Sequence, residues 1–185
     1  MIGLSNTSGR LAETTPTRSW TDTTGNAVGG TRTANEQVLS LTETGAAAPT
    51  LNGNHTLVTG GKALDNPNHS TTLGTQFVTW TPSGGTNQSW KFTRQADGTY
   101  EIANVESGMC ADVDGGSTTA GAKVIQWTCN GAANQRWNAV AQANGTYKVA
   151  SVRSGLLLTT ASTTNGALVT QQPDTGSTLQ LWSIN

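Results

Sequence analysis

A chain of 185 residues with a formal net charge of −1 offers no electrostatic case for binding nucleic acid or an anionic membrane surface. Only 11% of its residues are charged and 34% are hydrophobic, and no apolar run reaches transmembrane length, so membrane insertion is not expected. Abundant Gly and Thr, with turn signals throughout, predict an all-β chain of short strands forming one domain, or a domain with an appendage.

The N-terminal MIGLSNTSGR lacks the basic and apolar regions of a secretory signal, so a secreted protein would be present here as its mature form or an excised segment. Within residues 1–50, EQVLSLTET reads as a strand, TTGNAVGGT as a turn, and Trp20 needs something to bury it; GAAAPT is linker-like. Two readings stay open for this segment: the tail of a preceding β domain plus linker, or a β-hairpin packed on the domain that follows.

Residues 51–185 are an internal triplication. Gly61, Gly108 and Gly155 are spaced by 47, and Trp90, Trp137 and Trp182 by 47 and 45, so the third copy is two residues shorter, between Gly155 and Gly166. A period of this length marks units that cannot bury an apolar face alone, and three copies must share one core. NHTLV, TYEIANV and TYKVASV occupy equivalent places, the last two introduced by the Asp97-Gly98 and Asn144-Gly145 turns that favour tight hairpins. Each is followed by a strand ending in Ala63-Leu64, Cys110-Ala111 or Leu157-Leu158, then a turn, a strand such as TQFVTW or AKVIQW, and Gln-x-Trp-x-apolar. Four strands per repeat make twelve, and the strand near residues 53–58 is expected to close the ring against the C-terminus.

Cys110 and Cys129 flank one loop of the middle repeat, where the first copy has Ala63 and Pro82 and the third Leu157 and Asp174. The two histidines, His55 and His69, have no companion at ligand spacing, so no metal or cofactor is expected. The cysteines read as a local disulfide, worth about 3 kcal/mol by loop entropy, and point to an oxidising, extracellular compartment. The tryptophans of Gln88-Ser89-Trp90, Gln135-Arg136-Trp137 and Gln180-Leu181-Trp182 are read as core. Their glutamines are expected on the same strand face, tying turns to it.

Three Gln-x-Trp motifs at this spacing, with Cys-x-Asp and Trp-x-Cys in the middle copy, resemble the ricin B-chain-like (R-type) lectins and the carbohydrate-binding modules of family 13. The resemblance covers about residues 51–185. It implies a β-trefoil of three pseudo-symmetric four-strand repeats, about 51–97, 98–144 and 145–185, with an N-terminal β-containing extension outside it.

An argument independent of the family locates the functional surface. Equivalent core positions should all be apolar, as Phe77/Val124/Val169 are, whereas Trp80/Trp127/Gln172, Asp65/Asp112/Thr159 and Asn87/Asn134/Leu179 differ between copies. A position that accepts Trp in one copy and Gln in another is expected at the surface, and an exposed Trp with Asp and Asn suggests binding. A pyranose needs a flat aromatic under its C–H face and polar groups at its hydroxyl rim. An ionised Asp accepts two strong bonds and an Asn amide both donates and accepts. The resemblance implies one site at Asp65, Trp80 and Asn87 and a second at Asp112, Trp127 and Asn134, supported by Gln88 and Gln135. The third copy, with Thr159, Gln172 and Leu179, is expected to be silent.

Glycosidase chemistry needs two carboxylates across a cleft, and each expected site has one, so no catalytic residue is assigned. His55 reads as a part-buried strand residue and His69 as an exposed loop residue. The expected function is non-catalytic binding of a mono-, oligo- or polysaccharide, galactose-type or related, with a covalently linked polysaccharide-degrading domain as a further partner. A protease-inhibitor or other protein-interaction module, or a structural appendage of a glycoside hydrolase, is the alternative, because a fold alone does not choose among them. Of five Asn-x-Ser/Thr sequons, the one at Asn87 would put a glycan over the first site, so the sequons are read as chance.

Overall fold

The computed structural model describes residues 50–185. The readings of a hairpin, linker or preceding domain in residues 1–50 therefore fall, but for Thr50, outside the described residues. The strands are Gly53–His55 (β1), Leu57–Thr59 (β2), Lys62–Asp65 (β3), Val78–Trp80 (β4), Trp90–Arg94 (β5), Tyr100–Asn104 (β6) and Cys110–Val113 (β7). They continue as Val124–Trp127 (β8), Arg136–Ala141 (β9), Tyr147–Ser151 (β10), Leu157–Thr160 (β11), Ala167–Gln172 (β12) and Ser183–Ile184 (β13). Among the described residues the helical elements are five 3-10 turns: Pro67–His69, Thr86–Gln88, Asp114–Gly116, Ala133–Gln135 and Thr178–Gln180.

Thirteen strands stand where twelve are expected because the first one breaks at Thr56. Its leading half, β1, pairs with β5 through Gly53↔Phe92 and His55↔Trp90. Its trailing half, β2, pairs with β13 through Leu57↔Ile184 and Val58↔Ser183. At the break Thr56 exchanges both backbone bonds with Asn185, at 3.0 and 3.1 Å. The ring thus closes at the C-terminus through half of the predicted strand.

The turns before β6 and β10 form as their sequences require. Gln95 N–H donates to Thr99 O and Gly98 N–H to Gln95 O, with Gly98 at φ 87°, a left-handed conformation that glycine adopts without cost. The hairpins β3–β4, β7–β8 and β11–β12 meet around the pseudo-threefold axis. β12 pairs β4 at Ala167↔Thr79, and single bridges join Gln76 to Ile125 and Lys123 to Thr170. This is a β-trefoil.

The core repeats with the sequence. Trp90, Trp137 and Trp182 are fully buried beside Phe77, Val124 and Val169. Each indole N–H donates to the backbone carbonyl two strands earlier: Leu64 at 3.0 Å, Ala111 at 3.0 Å and Leu158 at 2.9 Å. That bond removes the one unmet polar atom of a buried Trp and fixes the ring's orientation.

The rule that copies differ only at the surface does not hold throughout. Leu57, Asn104 and Ser151 are equivalent and all buried, as are Asn66, Val113 and Thr160. A buried polar residue is tolerated where backbone partners are at hand: Asn104 Nδ2 donates to Asn87 O at 2.9 Å while its Oδ1 accepts from Glu106 N–H at 3.2 Å. Ser151 Oγ, by contrast, has no partner among the described residues, so variation among repeats marks some buried positions as well as exposed ones.

Candidate functional site

Each candidate site is built where the second hairpin strand meets the 3-10 turn that precedes the Gln-x-Trp strand. In repeat 2, β7 presents Asp112, β8 ends in Trp127, and the turn Ala133–Gln135 presents Asn134 and Gln135. In repeat 1 the corresponding residues are Asp65 on β3, Trp80 at the end of β4, and Asn87 and Gln88 in Thr86–Gln88. The expected trios are thus brought together in both copies.

The tryptophans stand in solvent and the carboxylates beneath them do not. Trp80 and Trp127 are 47% and 41% exposed, against 5% and 4% for Asp65 and Asp112. Asp112 accepts from Asn134 Nδ2 at 2.9 Å on Oδ1 and from Gln135 Nε2 at 2.7 Å on Oδ2. Asp65 accepts from both Asn87 Nδ2, 3.0 Å, and Gln88 Nε2, 2.7 Å, on a single oxygen, Oδ2. Burial raises the pKa of both carboxyls above the usual 3.8, and the amide donors oppose that rise.

The glutamines do not lie on the strands, as the sequence suggests, but at the end of the 3-10 turns, where they are buried. From there they still tie a loop to the site. Gln135 Oε1 accepts from Asn130 N–H at 2.8 Å and Nε2 donates to Thr128 O at 2.9 Å. Gln88 does the same with Ser83 N–H, 2.8 Å, and Thr81 O, 3.1 Å. In repeat 3, Gln180 keeps the pattern with Thr175 N–H and Pro173 O, but its remaining N–H goes to the Thr159 hydroxyl at 3.2 Å. A hydroxyl therefore also gives the glutamine an acceptor, at a longer distance than the carboxylates do, so the scaffold itself does not require Asp65 or Asp112.

Neighbouring repeats complete the walls. A Cβ on Gly74 would lie 3.9 Å from the Trp127 ring, and one on Gly166 would lie 3.7 Å from the Trp80 ring. The first site thus borrows a wall from repeat 3 and the second from repeat 1. Gln126 supports the latter wall: its buried amide donates to Ser70 O and Thr72 O, at 2.9 and 2.8 Å, holding the loop that ends in Gly74.

Around Asp112, Trp127 and Asn134 lies a groove of about 480 Å³, further bounded by Asp114, Asn130 and Arg153. These last three were not legible as site residues, because their place depends on loop paths and on contact between repeats. Aligning the repeats by position would have flagged Arg153, whose equivalents are Glu106 and Thr59. The disulfide joins Cys110 to Cys129, with Cα atoms 5.0 Å apart, and anchors the loop that follows Trp127. Since Cys110 faces Trp127 across the hairpin, the bond lies beside the exposed indole. His55 is half-buried on β1 and His69 is exposed in its turn.

A family model for ricin-type β-trefoil lectin domain-like proteins matches residues 37–127, 86–172 and 133–185 in three overlapping stretches. Among solved structures, the designed 3-fold symmetric protein ThreeFoil is 38% identical with a TM-score of 0.70, over 72% of this chain and 98% of that chain. The exo-β-1,3-galactanase 1,3Gal43A of Clostridium thermocellum is 34% identical with a TM-score of 0.69, over 71% of this chain and 30% of that chain. The Rhizoctonia solani agglutinin, 21% identical with a TM-score of 0.67 over 75% of this chain and 98% of that chain, shares the fold. No curated protein sequence matches the chain. A triplicated Gln-x-Trp core and a trefoil of paired hairpins, matched by that family model over residues 37–185, place this chain in the ricin-type β-trefoil lectin-like family.

Proposed function

We propose that the protein is a non-catalytic, secreted carbohydrate-binding module with two sugar sites, at Asp65, Trp80 and Asn87 and at Asp112, Trp127 and Asn134. Gln88 and Gln135 hold the carboxylates from behind, and the third copy is silent. The supporting observation is a half-exposed indole with a buried, amide-held carboxylate in two of the three repeats. In the third, a hydroxyl replaces the carboxylate and still receives the glutamine N–H, at 3.2 Å. Leaving each indole half in water forgoes roughly 2 kcal/mol of burial. A stacked pyranose recovers that energy, while its hydroxyls take the carboxylate's remaining lone pairs and the free Asn Oδ1.

Each site has one carboxylate, which suits binding and not the two-carboxylate chemistry of glycoside cleavage. Residues 51–185 form the sugar-binding domain in this reading, and residues 1–50 lead from a polysaccharide-degrading partner domain on the same chain. Likeness to part of an exo-β-1,3-galactanase supports both that context and a galactose-type ligand. Single shallow sites of this kind bind at about 0.1–1 mM.

The test is affinity electrophoresis and calorimetry against galactosides and plant galactans, with the Trp80→Ala/Trp127→Ala double variant as the control. Binding by the parent and none by the folded double variant is the expected result. Equal retention of both on galactan would overturn the site assignment, and nanomolar protease inhibition with no glycan binding would favour the protein-interaction reading.

A further inference from the structure

The two sites carry opposite charges at one matched position. Thr59, Glu106 and Arg153 each lie two residues before the repeat glycines Gly61, Gly108 and Gly155. Glu106 and Arg153 close onto the loop of the preceding site in the same way. Glu106 accepts from His69 Nδ1 at 2.9 Å and from the Thr86 hydroxyl at 3.0 Å. Arg153 Nε donates to Gly116 O, and Gly116 is the repeat equivalent of His69. Thr59, the uncharged member, donates its hydroxyl to Thr178 O at 3.0 Å. An anion, a cation and a neutral group at one matched position thus each bond the preceding repeat, Arg153 at the His69 equivalent, Thr59 at the Thr86 equivalent and Glu106 at both, so the position does not dictate the charge.

We propose that Arg153 makes the repeat 2 site selective for sugars bearing a carboxylate, the uronic acids, whereas Glu106 restricts the repeat 1 site to neutral sugars. This rests on the sugar-binding reading above and adds a ligand class to it. Arg153 is exposed and lines the same groove as Asp112, Trp127 and Asn134, where it is the one cation. Among the described residues no carboxylate lies within ion-pair distance of it. With Nε committed to Gly116 O, the two terminal Nη groups have no acceptor among the described residues. Such a pair matches the two oxygens of a carboxylate in a bidentate, charge-assisted contact. The planar fork, fixed at one nitrogen, loses little freedom on engaging it. Asp112 and Asp114 line the groove too and oppose an anion, so removal of Asp114, which the sugar does not need, strengthens the preference. In repeat 1 the matched spot presents the Glu106 carboxylate close to Asp65, where a second anion on the ligand is repelled.

The experiment isolates each site. Trp80→Ala leaves the repeat 2 site and Trp127→Ala leaves the repeat 1 site; both positions are exposed. Each variant is titrated at pH 7.5 with methyl galactopyranoside and with methyl galactopyranosiduronate, which differ only at C6. The Trp80→Ala protein is expected to prefer the uronide about fivefold, less in high salt, and the Trp127→Ala protein to prefer the neutral sugar. Adding Arg153→Glu to Trp80→Ala inverts its order, and adding Asp114→Asn widens the preference. An unchanged uronide-to-neutral ratio after Arg153→Glu, with both sugars still bound, overturns this inference and leaves the sugar sites standing. A galactose 6-sulfate bound as tightly as the uronide overturns the assignment to uronic acids. Failure of the parent protein to bind either sugar or galactan overturns the proposed function, and this inference with it.

Discussion

Asp65 and Asp112 are the residues on which the proposed binding role and stability pull in opposite directions. Their folded pKa is raised, chiefly by burial, so ionisation at neutral pH costs folding free energy. The sign follows directly: the stabilising contribution of each group is complete below its unfolded value near 3.8 and is lost as pH rises through the higher folded value. Replacing the carboxylate by an amide keeps an acceptor for Gln135 Nε2 and removes that cost, but sets the new NH2 against the Asn134 Nδ2 donor. Asp112→Asn is therefore expected to fall below the parent in melting temperature by less at pH 7 than at pH 4, while losing sugar binding at the proposed repeat 2 site. Melting curves across that range check it, and a deficit larger at pH 7 than at pH 4 would show that the charge is structural. Sugar binding by the parent should fall as pH drops, starting above 3.8 because the raised carboxyls protonate early. Calorimetry between pH 7 and pH 4 measures that onset.

At the scale of the element, the 3-10 turn with its loop is the unit that makes a site. Gln135 makes three bonds from inside it, to Asn130 N–H, Thr128 O and Asp112 Oδ2. Gln135→Ala takes a donor from the buried Asp112 carboxylate and frees the loop at the exposed Thr128 and Asn130, and is expected to cost about 1–3 kcal/mol, with the proposed repeat 2 site failing first. Denaturant midpoints together with single-site titration separate the two effects. The disulfide constrains the same loop and closes 19 residues of sequence. Replacing both cysteines by Ala should remove up to about 3 kcal/mol and weaken the repeat 2 site selectively. Repeat 1 forms its own loop with Ala63 and Pro82 in those places. Thermal melts with and without the disulfide, read beside binding to a Trp127→Ala control, distinguish a local anchor from a general staple.

For the whole molecule, pseudo-threefold symmetry supplies stability, and in the proposed function its breaking supplies specificity. All three copies keep the Trp-to-carbonyl bond and the glutamine ties, which is why Trp137→Ala empties the shared core. That change is expected to cost about 3–5 kcal/mol, a large part of the 5–15 kcal/mol typical of a domain, and to leave a chain that does not melt cooperatively. In the proposed reading two copies bind, and two weak sites on one rigid body gain by avidity on a polymer. Trp80→Ala or Trp127→Ala alone should therefore weaken retention on galactan far more than it changes the affinity of the remaining site for a monosaccharide. Comparing polymer retention with monosaccharide titration of the same variant measures this.

The triplication, the three buried tryptophans and the juxtaposition of the candidate trios were legible in the sequence, because each is a matter of residue type recurring at a fixed interval, and the disulfide because the chain has two cysteines. Periodicity alone sufficed to set Trp90, Trp137 and Trp182 facing one core and to single out Asp65 with Trp80 and Asp112 with Trp127. Only the tertiary structure decided that the first strand divides at Thr56, that the glutamines bond from 3-10 turns, and that Leu57, Asn104 and Ser151 are all buried. It also decided that Gly74 and Gly166 wall the sites of neighbouring repeats and that Arg153 lies beside Trp127. These depend on contacts between segments far apart in the chain, where the backbone path and the partners available for hydrogen bonding determine what a residue does. Spacing within one repeat holds no information about what the next repeat brings against it.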